Sequence, residues 1–215
     1  MNPLFGRSRA GAAACLIVIL LSGLQARATT FTFTTDPFLN STALTTPGRQ
    51  IVGGEDFITF NVATDEFAFA SGVFGITSIG FASSLAANLA ATGLNVVVLQ
   101  DLDNDANPAS PFAAGTAANL IADQITSPGP GFFVYFNSGL QVPRLVYSTD
   151  LSDNTADLKV LARLTNLNSA ALPGFTAANF RLLTVPDGES PLTLALSVLF
   201  LMAARHIFWR RGVRG

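Results

Sequence analysis

Two apolar runs stand at the two ends of this 215-residue chain, and together they limit what the middle can fold into. The C-terminal run, Leu192 to Ala204, holds thirteen residues and no charge. As a helix it would rise about 20 Å, short of the roughly 30 Å of a bilayer's hydrocarbon core. Ile207, Phe208 and Trp209 lengthen it once Arg205 snorkels its guanidinium to the headgroups. Trp209 suits the interface, and Arg205, Arg210, Arg211 and Arg214 then mark a cytoplasmic end. Asp187 and Glu189 fall on the opposite side. This pattern predicts a transmembrane helix over about 192–209; the competing reading is a C-terminal helix buried in a soluble domain.

The N-terminal run reads as a secretory signal over residues 1–28. Arg7 and Arg9 supply the positive start, and Ala10 to Leu24 the apolar centre. Ala26-Arg27-Ala28 is an A-x-A site that predicts a cut before Thr29. An uncleaved anchor helix is the alternative. Arg7-Ser8-Arg9 is not a twin-arginine pair. Cys15 does not sit where a lipoprotein cysteine would, because most of the apolar run follows it.

The tail also carries a motif. Val185, Pro186, Asp187, Gly188 and Ser190 precede the apolar run, and arginines follow it. This order of motif, helix and basic tip resembles the sorting signal of the PEP-CTERM class in its Val-Pro-Asp variant. Pro191 stands where that variant often has Thr, and Arg205 interrupts the apolar run early. The resemblance implies recognition by an exosortase, a membrane cysteine protease that cuts near the motif. It implies a bacterium of Gram-negative type that makes exopolysaccharide. It also implies an inner-membrane-anchored precursor that becomes a cell-surface or extracellular protein.

Residues 29–184 are then the cargo, of a size that suits one domain with its own core. Five basic residues there face twelve acidic ones, a balance of −7, which the whole-chain charge of −2 conceals. A surface of that sign excludes nucleic acid as a partner, since phosphate binding needs a basic footprint. The only cysteine, Cys15, and the only histidine, His206, lie outside this stretch. That excludes a disulfide, Ser-His-Asp or Cys-His nucleophiles and histidine-ligated zinc. Arg49 followed by Ile51-Val52-Gly53-Gly54 looks like a serine-protease N-terminus, but a cargo without histidine has no base to serve it.

Patterning predicts a mainly β fold: a single β-sandwich-like domain with one or two packed helices, or alternatively an α+β sheet with a helix on it. Thr29 to Thr35 alternates Phe with Thr and reads as a strand. Phe57 to Val62 and a strand starting at Phe67 read as a hairpin turning at Thr64-Asp65-Glu66. Ala-rich Phe81 to Ala91 reads as a short helix ended by Gly93, Asn95 to Gln100 as a buried strand, and Ala113 to Ile125 as an amphipathic helix. Phe132 to Phe136 pairs with Leu145 to Ser148. Leu158, Val160, Ala162 and Leu164 alternate with Lys159, Leu161, Arg163 and Thr165 and read as one strand with those four on one face, and Phe175 to Leu183 supplies the last strand. Asn119 to Ile125 and Leu145 to Leu151 are similar to stretches of ectodomains carried by other exosortase substrates, which implies no activity.

Asp101, Asp103 and Asp105 alternate along a polar loop, as oxygen ligands of calcium do. An EF-hand requires Gly sixth and Glu twelfth, where this chain has Ala106 and Phe112. A looser calcium loop and a solvated Asx-rich turn are the two readings left. Asp150, Asp153 and Asp157 offer carboxylates that a glycoside hydrolase would need in a pair, and acidic loops otherwise serve solvation. A cargo without His or Cys predicts a non-catalytic protein, and the resemblance implies a surface or matrix role with signal peptidase, an exosortase, the membrane and exopolysaccharide as partners. A carbohydrate-binding or carbohydrate-active module is the alternative.

Overall fold

The computed structural model describes residues 27–184 except 104, 106 and 108. The expected signal segment up to Ala26 and the whole tail from Val185 lie outside the described residues. What is described is mainly β: ten strands in two sheets and two short α-helices. Among the described residues no helix is long and apolar enough to cross a membrane.

The smaller sheet has the order β1-β4-β10, with β4 (Glu66–Ala70) between β1 (Thr30–Phe33) and β10 (Phe180–Leu183). Both flanking strands run parallel to β4. The first and last strands of the domain therefore close onto one central strand. The larger sheet has the order β2-β9-β8-β7-β6-β5, with β3 also on β9. Its strands are β2 (Ile51–Val52), β3 (Asp56–Ile58), β5 (Phe81–Ser84), β6 (Val96–Leu99), β7 (Gly131–Asn137), β8 (Val142–Ser148) and β9 (Leu158–Leu164). β7, β8 and β9 form an antiparallel meander, while β5-β6-β7 are parallel. The two helices are α1 (Ser71–Phe74) and α2 (Ala114–Ala122).

Burial on both faces explains the apolar runs of β6 and β7. Val96, Val98, Phe132 and Val134 join the core shared with the small sheet. Val97, Leu99, Phe133 and Tyr135 join a second core under α2, built on Ala114, Ala117, Ala118 and Ile121. The first core is a seam of rings. Phe69 of β4 stacks on Phe132 of β7 at 3.7 Å between centroids. Phe60 stacks on Phe67 at 4.3 Å and on Phe175 at 5.5 Å. Each such ring buries a large apolar surface, and paired rings add to that. The Tyr147 hydroxyl donates to the Phe74 carbonyl at 3.1 Å. Burial, and then the Asp36 charge, push that phenol up to about 12, so it stays a neutral donor.

Three expectations are corrected. The strand from Phe67 forms no hairpin with its predecessor: β4 pairs with β1 and β10, and β3 lies in the other sheet on β9. Residues 81–91 are not one helix, because Phe81 to Ser84 pair with Val96 to Leu99 and only Ala86–Asn88 form a 3₁₀ turn. Pairing energy across the sheet overrides the helix propensity of the alanines. Leu158, Val160, Ala162 and Leu164 do not share one face. A register shift at Leu145/Val146 places a bulge in β9; Leu158 and Val160 lie under α2, whereas Ala162 and Leu164 face the small sheet. One extra residue reverses the side-chain alternation beyond it.

Candidate functional site

A cleft of about 320 Å³ opens where the loop after β1, the β2–β3 connection and β9 meet. Its walls combine apolar and charged side chains. Phe33, Leu39, Phe74 and Leu161 give an apolar floor, and Asp36, Asp56 and Lys159 stand around it. Asp36 begins an Asx turn, accepting the Phe38 N–H at 2.9 Å on one carboxylate oxygen. Asp56 opens β3 at an exposed position. Lys159, on β9 beside β2, donates to the Gly53 carbonyl. Gly54 has φ +84°, a turn conformation that side chains rarely adopt, and its neighbour there is the Lys159 ammonium. An apolar floor rimmed by carboxylates and an ammonium can hold a polyhydroxylated ligand such as a sugar.

Beside this cleft lies a nearly buried ion triad. Glu55 Oε1 accepts from Arg144 at 2.7 Å and from Arg163 at 2.8 Å. Burial pushes the Glu55 carboxyl up, but hydrogen bonds from Arg163, its own backbone and Arg144 together hold it below its ordinary value. The Arg163 guanidinium also covers the ring of Phe57 at 4.8 Å, and Phe57 is 69% exposed. Nothing in sequence spacing announces the triad: its members come from the β2–β3 connection, β8 and β9, and only the β8–β9 register brings the arginines together. The same holds for Asp36, Asp56 and Lys159, which lie far apart along the chain.

The loop at 101–105 distributes its carboxylates. Asp101 Oδ2 accepts the Ala86 N–H at 2.6 Å and so caps the 3₁₀ turn. Asp103 Oδ2 accepts from Ser138 Oγ at 2.6 Å. Asp105 accepts the Asn107 N–H at 2.8 Å and the Ser110 hydroxyl at 2.8 Å. The Asn107 backbone contact first, then Ser110 and Asp103, hold the Asp105 carboxyl below its usual range. Among the described residues no three carboxylate, histidine or cysteine side chains cluster as a metal set. Three different local duties account for these aspartates in the structure.

The second acidic group is likewise divided. Asp157 is buried and accepts the N–H groups of Leu44 and Gln50, each at 2.6 Å. Asp150 ties Gly129 and Ser152, and Asp153 ties Thr155. Arg49 joins this region to α2 through the Gly115 carbonyl at 2.8 Å and Asn119 Oδ1 at 2.7 Å.

Of the processing residues read from sequence, Ala28 and Thr29 are described and exposed. Ala26, the motif Val185, Pro186, Asp187, Gly188 and Ser190, and the basic tail Arg205, Arg210, Arg211 and Arg214 lie outside the described residues. Comparison with known proteins finds no family model, no curated protein and no solved structure that matches this chain.

Proposed function

We propose that this chain is the precursor of an exported cell-surface or extracellular-matrix protein of the biofilm and exopolysaccharide type. Signal peptidase removes residues 1–28. The 185–215 tail anchors the precursor in the inner membrane until an exosortase acts near Val185 to Ser190. Residues 29–184 form a non-catalytic, β-sandwich-like domain that requires no cofactor.

The observation that carries this reading is the order of the tail: Val185-Pro186-Asp187-Gly188, an uncharged run, then four arginines. The strand boundaries are compatible with it. β1 starts at Thr30 and β10 ends at Leu183, so cuts at both proposed sites leave every described strand intact. Cell fractionation tests it. With the exosortase present, the domain leaves the membrane; with the exosortase deleted, it stays in the inner membrane. Equal release from both strains contradicts the reading.

The cleft at Asp36, Asp56 and Lys159 favours a second reading, a module that binds or acts on exopolysaccharide. A glycan array and a reducing-sugar assay separate the two readings. Silence in both leaves the first alone; binding abolished by Lys159→Ala establishes the second.

A further inference from the structure

The turn before β4 holds a carboxylate at the point where the cargo begins. Asp65 is only 5% exposed. Its Oδ1 accepts the Thr29 N–H at 2.9 Å and the Thr64 hydroxyl at 3.1 Å, and its Oδ2 accepts the Asn61 N–H at 2.8 Å. The Asp65 backbone is fixed as well: Asn179 Nδ2 donates to the carbonyls of Asp65 and Val62, each at 2.8 Å. Thr29 is set into the sheet by its own carbonyl, which accepts the Glu66 N–H at 3.0 Å. The atom that signal peptidase would free is therefore already seated on a buried carboxylate.

We propose that Asp65 is the seat of the mature α-ammonium of Thr29, so that cleavage itself turns an amide N–H donor into a charged partner of a buried carboxylate. This rests on the cut before Thr29 proposed above. In the hydrolysis, water's oxygen joins the Ala28 carbonyl carbon, which ends as a carboxylate. The Thr29 nitrogen leaves as an amine and takes up a proton to become an ammonium. The bond is already charge-assisted through its acceptor, and ionising the donor adds a Coulomb attraction between opposite unit charges.

The surrounding charges fit this role. Glu66, next in sequence, is already satisfied by the Thr30 hydroxyl at 2.8 Å and by Arg181 of β10 at 2.8 Å. Arg181 offsets Glu66 and leaves the Asp65 charge to be matched. Arg27 lines the same cleft as Thr29 and Asp65, with Asn61 and Asn166 as neutral neighbours. Arg27 departs with the released peptide, and the new ammonium replaces its charge at closer range. A group whose proton is held more tightly in the folded state stabilises fully below its unfolded pKa, about 8 for an α-amine. That contribution disappears as pH rises through the folded-state value.

The test uses the exported protein in the form the cell releases. Intact mass identifies its N-terminus. Periodate then oxidises an N-terminal threonine to an aldehyde and removes the amine. Residues 29–184 contain no Met, Cys or Trp to react instead. The proposal predicts a Thr29 start and, after oxidation and refolding, a folding equilibrium constant about tenfold smaller at pH 7, the equivalent of one pKa unit. The two forms converge in stability above about pH 9. In the Asp65→Asn protein, or in Asp65→Ser if that one folds poorly, oxidation changes stability much less. A Thr29 start with unchanged stability after oxidation overturns the seat and leaves the export reading standing. A different N-terminus overturns both the seat and the cut before Thr29.

Discussion

Arg144 and Arg163 stand opposite each other in the β8–β9 register and share one acceptor, Oε1 of Glu55. Two like charges facing one another across strands repel. Here a single carboxylate from the β2–β3 connection makes the pair tolerable and thereby binds that connection to the sheet. Glu55 and Arg144 are mostly buried, with 10% and 15% of their side chains exposed. Removing the carboxylate would leave a mostly desolvated Arg144 and a partly exposed Arg163 without their counter-charge.

Glu55→Gln is expected to destabilise the domain by about 2–3 kcal/mol, below the usual figure for a fully buried pair because Arg163 is partly exposed. Glu55 is held below its ordinary pKa in the fold. Its contribution is therefore present above the unfolded value of about 4.3 and is lost as pH falls through the folded value. Urea unfolding between pH 7 and pH 3 should show wild type losing its advantage over Glu55→Gln at the acid end.

The ring seam between the sheets gives a second expectation. Phe69 stacks on Phe132 at 3.7 Å and meets Phe74 edge-on at 5.8 Å. All three are fully buried. Phe69→Ala should cost about 3–5 kcal/mol, and Phe69→Leu clearly less, because the leucine refills most of the cavity. Equilibrium denaturation of the two variants measures the difference.

Gly80 has a sharper requirement. A Cβ there would lie 1.9 Å from the Gly93 carbonyl oxygen. The Gly80 carbonyl accepts the Asn95 and Val96 N–H groups at 2.9 Å, and Asn95 Oδ1 accepts the Gly80 N–H at 2.8 Å. These contacts set the start of the β5–β6 pair. Gly80→Ala should therefore destabilise by about 1–3 kcal/mol or more. Amide exchange at Val97 and Val98 would quicken as that pair loosens.

Calcium separates the two readings of the 101–105 loop. Asp101, Asp103 and Asp105 each serve a different protein donor. The expected result is an equal Tm in excess calcium and in chelator. A bound ion at a hundred times its Kd would add about 2.7 kcal/mol, easily seen by thermal unfolding. Asp101→Asn should still lower Tm, since it weakens the cap on Ala86.

Local patterns were legible where the partner strand is near in sequence. The Phe132 to Ser148 hairpin, the Val-rich strand and α2 follow from alternation, burial and punctuation by Ser127-Pro128-Gly129-Pro130-Gly131. Partner choice over distance was not legible. Thr30 to Phe33 shows an alternating strand but cannot say that its neighbour is β4, nor that β10 closes the other side. The bulge in β9 leaves one mark in the sequence, an apolar Leu161 between Lys159 and Arg163. The clefts and the Glu55 triad assemble from residues roughly a hundred positions apart, and spacing carries no trace of them.

The central claim, that this chain is a precursor trimmed at both ends, is tested most directly by the intact mass of the protein recovered from the medium and cell surface of its host. The expected species begins at Thr29 and ends near the 185–191 motif, without the arginine tip. A single species carrying both Met1 and Gly215 would contradict it.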